Sequence, residues 1–329
     1  MDLTDYSAYG GGSWQKRCHN ICPDDTYAAD DGSINPVWSL QFGINSEYMP
    51  LKIVHLNFPT KSAISFANQD PERFQLLDKV DFNKLWTQLH NYAYMLDEIG
   101  ILAVTANSHI MNSHPNFIFA RDLFSMTPKG AILGRPATRI RAGEELGMMM
   151  AFSYQRTPIL ATIVEGSFEG ADMLWLAPDA VAIDHSSRTT MDAANRIESI
   201  LKRHSIFCMH THINVPGNQH LLGVCNIVND HVACIRTEKI PQDLVDFMDD
   251  IGYKFIEFDE TEEVVYKQAM NLVTVAPGEV FMPHDCPETE DKLLDSGHVT
   301  KIHSVDITEL RKMAGGLACL TGIVHRELL

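Results

Sequence analysis

The sequence predicts an α/β chain arranged as a ring of β-β-α-β units. Three observations predict it. Four times an apolar strand, a tight turn and a second apolar strand occur together, beginning near residues 117, 173, 221 and 271. The spacing of these pairs is about fifty residues, a repeat at the scale of a supersecondary unit without residue-level similarity. Three of the four pairs are followed by a helical stretch. A doubly wound sheet fits less well, because its parallel strands are separated by helices and not by hairpins.

Residues 1–49 are rich in Gly, Asp, Ser and Asn with few apolar runs, and read as an irregular extension on the surface or partly disordered. From residue 50 to 329 the chain reads as a single domain. LKIVHLNF (51–58) is a strand. The segment 83–100 is a helix with apolar positions Leu85, Leu89, Tyr92 and Leu96, stopped at Gly100. ILAVTA (101–106) is a strand, and FIFA (117–120) pairs with GAILG (130–134) across a Pro-Lys turn. MLWLAP (173–178) pairs with AVAID (180–184), and a helix follows over 189–204, with a threonine near its start and basic residues in its last turn. LLGVCNIV (221–228) pairs with HVACI (231–235), and a helix over 242–252 ends at glycine. NLVTVAP (271–277) and EVFMP (279–283) pair around Gly278.

A chain of 329 residues with 45% hydrophobic content can bury a full core. The formal net charge of −17 argues against a nucleic-acid partner, which would demand a basic patch. It favours cationic small molecules in a cleft. Seven irregularly spaced cysteines do not form a disulfide framework, which points to a reducing compartment. The first residues hold no apolar signal segment, and no stretch approaches the ~18 apolar residues of a membrane span. A cytoplasmic enzyme without a membrane partner is the expectation. A homo-oligomer is compatible with the sequence.

Four segments carry chemistry. Cys319 lies in GGLACL (315–320), behind two glycines that permit close backbone approach and leave room for a planar substrate. PNFIFARD (115–122) offers Asn116 and Asp122, EGADMLWL (169–176) offers Glu169 and Asp172, and NQHLLGV (218–224) offers His220. Thiol, imidazole and carboxylates in one chain suit attack on a cationic carbon bonded to nitrogen, such as a guanidinium, whose paired N–H groups match carboxylate oxygens. Two metal readings compete. Cys18 and Cys22 in CHNIC are half of a zinc pattern without its second half, and His210 with His212 and His220 is a three-histidine set.

These segments occur in the order Pro-Asn-x-x-Phe-x-Arg-Asp, Glu-Gly-Ala-Asp, Ser-x-Arg-Thr, histidine and C-terminal cysteine. In that order the chain resembles the guanidino-group-modifying superfamily, also called the pentein or amidinotransferase-fold group, over about residues 51–329. The motifs are most similar to those of arginine deiminases, dimethylarginine dimethylaminohydrolases and arginine dihydrolases. The resemblance implies a five-bladed α/β propeller as a single catalytic domain. It also implies a small guanidino substrate such as arginine, and a mechanism with neither cofactor nor metal.

By the same resemblance Cys319 is the nucleophile that forms a thiouronium-type intermediate, and His220 is the general acid and base. Glu169 and Asp122 anchor the guanidinium, and Asp172 either joins them or braces the glycine turn. Arg188 in SSRTT (186–190) meets the substrate carboxylate, and one of Arg135, Arg139 and Arg141 supplies a second cation, with Arg139 and then Arg135 preferred. Asn68 and Asn116 bind substrate through their amides. Two departures stand out. Gly170-Ala171 replaces the family's Gly-Gly, and Leu222 stands where arginine deiminases carry an aspartate two positions after the histidine. One carboxylate fewer suits a substituted guanidine or a different release step. The alternatives are an amidinotransferase, in which an amine takes the place of water, and a binding protein that uses the ring without its chemistry.

Overall fold

The computed structural model describes residues 41–106, 113–213 and 220–329. Among them, fifteen strands form five three-stranded sheets. The first joins β1 (Leu51–Leu56), β2 (Leu102–Thr105) and β15 (Gly322–Arg326). The second holds β3 (Phe124–Thr127), β4 (Gly130–Leu133) and β5 (Ile159–Thr162), and the third β6 (Met173–Ala177), β7 (Ala180–Asp184) and β8 (Phe207–Thr211). The fourth holds β9 (Cys225–Asn229), β10 (Val232–Arg236) and β11 (Lys254–Phe258), and the fifth β12 (Val273–Ala276), β13 (Glu279–Pro283) and β14 (Lys301–Val305).

One rule builds all five sheets. The middle strand pairs antiparallel with one neighbour and parallel with the other. A parallel neighbour needs a crossover, and a helix supplies it each time. Phe82–Glu98 connects β1 to β2, Glu144–Gln155 connects β4 to β5, and Met191–Lys202 connects β7 to β8. Gln242–Asp250 and Pro287–Asp295 do the same in the fourth and fifth sheets. The fold is therefore the five-bladed α/β propeller of the pentein type. The chain closes its own ring, because β15 pairs antiparallel with β1, Val54 lying opposite Ile323.

The helices form where caps and apolar spacing coincide. Asp81 accepts from the N–H groups of Asn83 and Lys84 at 2.9 and 3.2 Å, which satisfies two otherwise orphaned donors of Phe82–Glu98. Leu85, Leu89, Tyr92 and Leu96 then lie on its buried face. Burying each leucine contributes about 2 kcal/mol. Thr190 caps Met191–Lys202 through the N–H of Ala193.

Two expectations are corrected. The segment 117–120 is not a strand: Pro115–Ile118 is a 3-10 turn, Ala120–Leu123 a helical turn, and the strand begins at Phe124. Phe117, Ile118 and Phe119 are apolar because the segment dives toward the ring axis, where all three are buried. Residues 41–49 also do not lie loosely on the surface. Gly43 exchanges backbone hydrogen bonds with Val324 and Arg326, and Glu47 holds Arg121 with both oxygens at 3.1 Å in the buried centre. Cys18 and Cys22 fall outside the described residues.

Candidate functional site

The site follows from the five-fold repeat. The chain entering the first strand of each unit turns near the ring axis, and each entry segment brings its chemistry there. The 3-10 and helical turns before β3 carry Asn116 and Asp122, and the turn Gly170–Asp172 before β6 follows Glu169. Leu221–Gly223 before β9 follows His220. Gln268 and Asn271 precede β12, and Leu317–Leu320 before β15 carries Cys319. A cleft of about 170 Å³ is lined by Asn116, Asp122, His220, Asn271 and Cys319, together with Arg141, Arg188 and Arg236.

Glycines allow this convergence. A Cβ on Gly170 would stand 2.2 Å from the carbonyl oxygen of Phe124, so the turn that positions Glu169 and Asp172 tolerates no side chain. Ala171, where the family pattern has its second glycine, is buried at the cleft wall. A Cβ on Gly315 would enter the ring of Phe119, and one on Gly316 would enter the Asn271 side chain. Asn271 needs that space. Its Oδ1 accepts from the N–H groups of Ala318 and Cys319 at 2.6 and 3.3 Å, and its Nδ2 donates to the Cys319 sulfur at 3.2 Å. Burial, followed by the charge of Asp122, pushes the Cys319 thiol above its ordinary pKa, while the Gly316 backbone, Asn271 and Arg141 pull it back.

His220 Nε2 lies 2.6 Å from Glu169 Oε2, and His220 Nδ1 lies 3.9 Å from Asp122 Oδ1. Burial alone would lower the imidazole pKa. Asp122, Asp172 and Glu169 outweigh it and raise the pKa to about 9. Burial opposes ionisation of Glu169, yet its hydrogen bond to His220 and the charges of His220, Arg141 and Arg188 hold it down at about 2. Asp172 behaves differently: burial raises it to about 8. It accepts from the Thr189 hydroxyl at 2.6 Å and the Leu221 N–H at 3.1 Å, bracing the turns on either side.

Arg141 is the cation that points inward. Its guanidinium lies 2.6 Å from Asp122, 2.9 Å from Glu144 and 3.7 Å from Glu169. Burial pushes Glu144 up to about 7 against the pull of Arg141. Arg139 and Arg135, preferred on sequence grounds, are exposed and do not line the cleft, and Arg135 donates to the carbonyls of Val164 and Gly166. Asn68 is also elsewhere: its amide is spent on both backbone groups of Val80 at 2.8 Å. Asn116 lines the cleft, donates to Phe74 O at 2.9 Å and leaves a buried Oδ1 without a partner. Arg188 lines the cleft with Nη1 3.7 Å from Glu169. Glu169 and Asp172 themselves have no exposed surface and do not line the cleft.

Two residues absent from the sequence reading belong to the site. Asn271 carried no motif. Arg236 lines the cleft while its Nε and Nη2 engage Glu260 and its Nη1 donates to Gly223 O. Its only sequence signal was a basic residue at a strand end. Asp122 is the one carboxylate among the described lining residues, beside three arginines, so the cleft does not share the acidity of the chain as a whole.

Among the described residues, Asp122, Glu169 and His220 are the group of acidic, cysteine or histidine ligand atoms lying within 4.8 Å of one another. The Arg141 guanidinium already supplies positive charge beside both carboxylates. His210 is engaged by Glu198 at 3.1 Å and His212 by the His185 carbonyl, so the three-histidine set is not assembled.

Comparison with known proteins agrees with this arrangement. The arginine deiminase family model matches residues 97–237. An arginine deiminase of Borreliella afzelii is 23% identical over 292 residues, covering 77% of this chain and 70% of that protein. A 2-nitroimidazole nitrohydrolase of Mycobacterium sp. (strain JS330) is 24% identical over 175 residues, 51% of this chain and 42% of that protein, so the match spans less than half of the latter. The dimethylarginine dimethylaminohydrolase of Pseudomonas aeruginosa, solved with citrulline, superposes with a TM-score of 0.65 at 22% identity, covering 84% of this chain and 100% of that one. With the five-sheet ring, these matches show that the chain has the pentein, or amidinotransferase-type, fold and is similar in sequence to arginine deiminases and to a dimethylarginine dimethylaminohydrolase.

Proposed function

We propose that the protein is a hydrolase of the guanidino group of arginine or a substituted arginine. The observation that carries this reading is the convergence of Cys319, His220 and Asp122 on one cleft, with Glu169 hydrogen-bonded behind His220. Asp122 Oδ1 is buried without a hydrogen-bond partner beside that cleft, an acceptor suited to a guanidinium N–H. The arginine deiminase and dimethylarginine dimethylaminohydrolase among the similar proteins are named for guanidino chemistry.

A raised thiol pKa leaves little thiolate in the free protein, so the cationic substrate itself promotes ionisation of Cys319 as it binds. The sulfur attacks the guanidinium carbon. The C–N bond to the leaving group breaks as His220, already an imidazolium at neutral pH, gives that nitrogen its proton. Ammonia or an amine departs and an S-linked amidino intermediate remains. Water then attacks that carbon and His220 takes its proton. The C–S bond breaks, leaving a ureido product and the free thiol. Glu169 acts through His220 by holding its ring. Arg188 and Arg236 attract the carboxylate of the amino-acid end.

Incubation with arginine, N-methylated arginines and agmatine, with assay of citrulline, ornithine and ammonia or amine, tests the reading. Nitrogen release from at least one substrate, abolished in Cys319→Ser with the fold retained, is expected. No release from any of them, or full activity in Cys319→Ser, would overturn it.

A further inference from the structure

The five blades repeat one plan, so their outward faces can be compared with one another. Each crossover helix buries one side and turns the other to solvent. Glu98, Arg196, Asp246 and Asp291 stand exposed on four of those helices. The fifth, Glu144–Gln155, departs from the plan. Its only acids are its first two residues, and Glu144 is buried against Arg141. From Leu146 to Gln155 it holds no charged residue. Leu146, Met150 and Tyr154 are 56%, 52% and 82% exposed. Spaced four apart, they form one apolar stripe along the outer face of the helix. A solvent-facing helix normally places charge there, and a contiguous exposed apolar stripe marks a surface that another molecule covers.

The spacing points to the occupant. Met150 lies midway between Leu146 and Tyr154. A second copy turned end for end therefore sets Leu146 against the partner's Tyr154, with the two Met150 side chains together at the two-fold axis. An isologous contact requires this self-complementarity, and a foreign partner does not. Methionine, flexible and polarizable, packs readily against its own copy. The flank of the helix agrees. Glu145 is half-buried near its start and Arg156 is exposed just past its end. At about 3.6 residues per turn, eleven positions leave the two about 20° apart around the axis, on one flank. Antiparallel pairing brings Glu145 beside the partner's Arg156, and does so twice in a dimer. The net charge of −17 opposes contact between copies over most of the surface, and this uncharged face is where that repulsion is weakest.

We propose that the face formed by Leu146, Met150 and Tyr154 is a homodimer interface, in which Glu144–Gln155 pairs antiparallel with its copy about a two-fold axis at Met150. A twelve-residue helix is about 18 Å long. That span buries less than a standard interface of about 1,600 Å², which makes the dimer a micromolar, exchanging one. The inference is independent of the chemistry proposed above. It meets the cleft through one contact, since Glu144 at the start of this helix accepts from Arg141 Nε at 2.9 Å.

Sedimentation velocity on the full chain, from about 1 to about 200 μM, reads the association. Wild type should pass from monomer to dimer within that range. Met150→Arg opposes like charges at the axis and should weaken the dimer about a hundredfold. Asp246→Asn changes the net charge by the same one unit on a different helix, and should leave the association unmoved. Glu145→Arg and Arg156→Glu should each weaken it about fivefold. Both substitutions in one chain should return it to within about twofold of wild type, because opposite charges again meet. Circular dichroism checks the fold, and Tyr154→Lys, at the most exposed of the three positions, stands in for Met150→Arg if that variant unfolds. A wild type that stays monomeric throughout overturns the inference, and binding of phosphatidylcholine vesicles by that monomer would assign the face to a lipid surface instead. A dimer that Met150→Arg leaves intact also overturns it, placing the contact elsewhere. A double charge variant weaker than either single one overturns the antiparallel pairing on which the interface stands.

Discussion

Nε2 of His220 sits 2.6 Å from Oε2 of Glu169, a carboxylate with no exposed surface whose second oxygen accepts the Ala137 N–H at 2.9 Å. The carboxylate is thus tied on both sides and holds the imidazole in one orientation. On sequence grounds Glu169 was expected to grip the substrate. Its position behind His220 gives Glu169→Gln a different signature. The variant should lose about 10²-fold in kcat, within the range for impaired acid–base catalysis, with KM nearly unchanged. Steady-state kinetics decide this, and a raised KM at constant kcat would return Glu169 to the role of substrate anchor.

The pH response follows from the same pair. His220 has a pKa of about 9 in the fold, against about 6.5 for an unperturbed histidine. Its protonated form therefore stabilises the folded state fully below pH ~6.5, and that contribution is lost as pH rises through about 9. Nitrogen release should fall on the alkaline side near pH 9, and the melting temperature should decline across the same window. On the acid side, kcat/KM should climb with pH as the raised Cys319 thiol ionises. Alkylation of Cys319 by iodoacetamide, followed against pH, should have its midpoint above ~8.5, the ordinary thiol value. A midpoint near 6 would mean that the free protein already holds a thiolate, against the substrate-assisted step.

Arg141 is a stability determinant as well as part of the cleft. Its removal as Arg141→Met leaves Asp122, Glu144 and Glu169 buried together without their shared cation. Breaking a buried pair from one side typically costs about 3–5 kcal/mol. Urea denaturation at pH 8 should show a loss of that order. The loss should shrink toward pH 6, below the pKa of about 7 that Glu144 has beside Arg141, because there its carboxyl is neutral with or without the cation and no charge is stranded on it.

Local pattern and long-range contact separate what was legible in the sequence. The pairs β6–β7, β9–β10 and β12–β13 were readable because each is a hairpin closed by a few turn residues. The pairing of β1 with β15 was not, since its partners lie at opposite ends of the chain and no local signal couples them. An apolar run such as Phe117–Phe119 looks alike whether it enters a sheet or an axial turn. Arg139 and Arg141 differ by two positions, enough to put one in water and the other in the cleft. The spacing of Arg141 and Glu144, three apart at the start of a helix, was the available clue. Asn68 looked like a ligand and proved to hold the backbone of Val80. Asn271 and Glu47 were invisible because each acts on a segment distant in sequence.

Leu222 sets the last prediction. It lines the cleft at 7% exposure, in the position where arginine deiminases carry a second carboxylate, and Asp122 is the only acid in the described lining. An apolar wall there leaves one guanidinium nitrogen without an anionic acceptor and tolerates an alkyl group on it. Leu222→Asp should shift the kcat/KM ratio of arginine to N-methylated arginine toward arginine by about tenfold, the worth of one charge-assisted hydrogen bond. The new carboxylate enters a buried setting near Asp122, which raises its pKa, so the shift should grow from pH 6 to pH 8. The isosteric but neutral Leu222→Asn separates charge from lost apolar contact, and should move the ratio less. If the ratio stays constant in Leu222→Asp while the protein remains folded, the residue at 222 does not choose between substituted and unsubstituted guanidines.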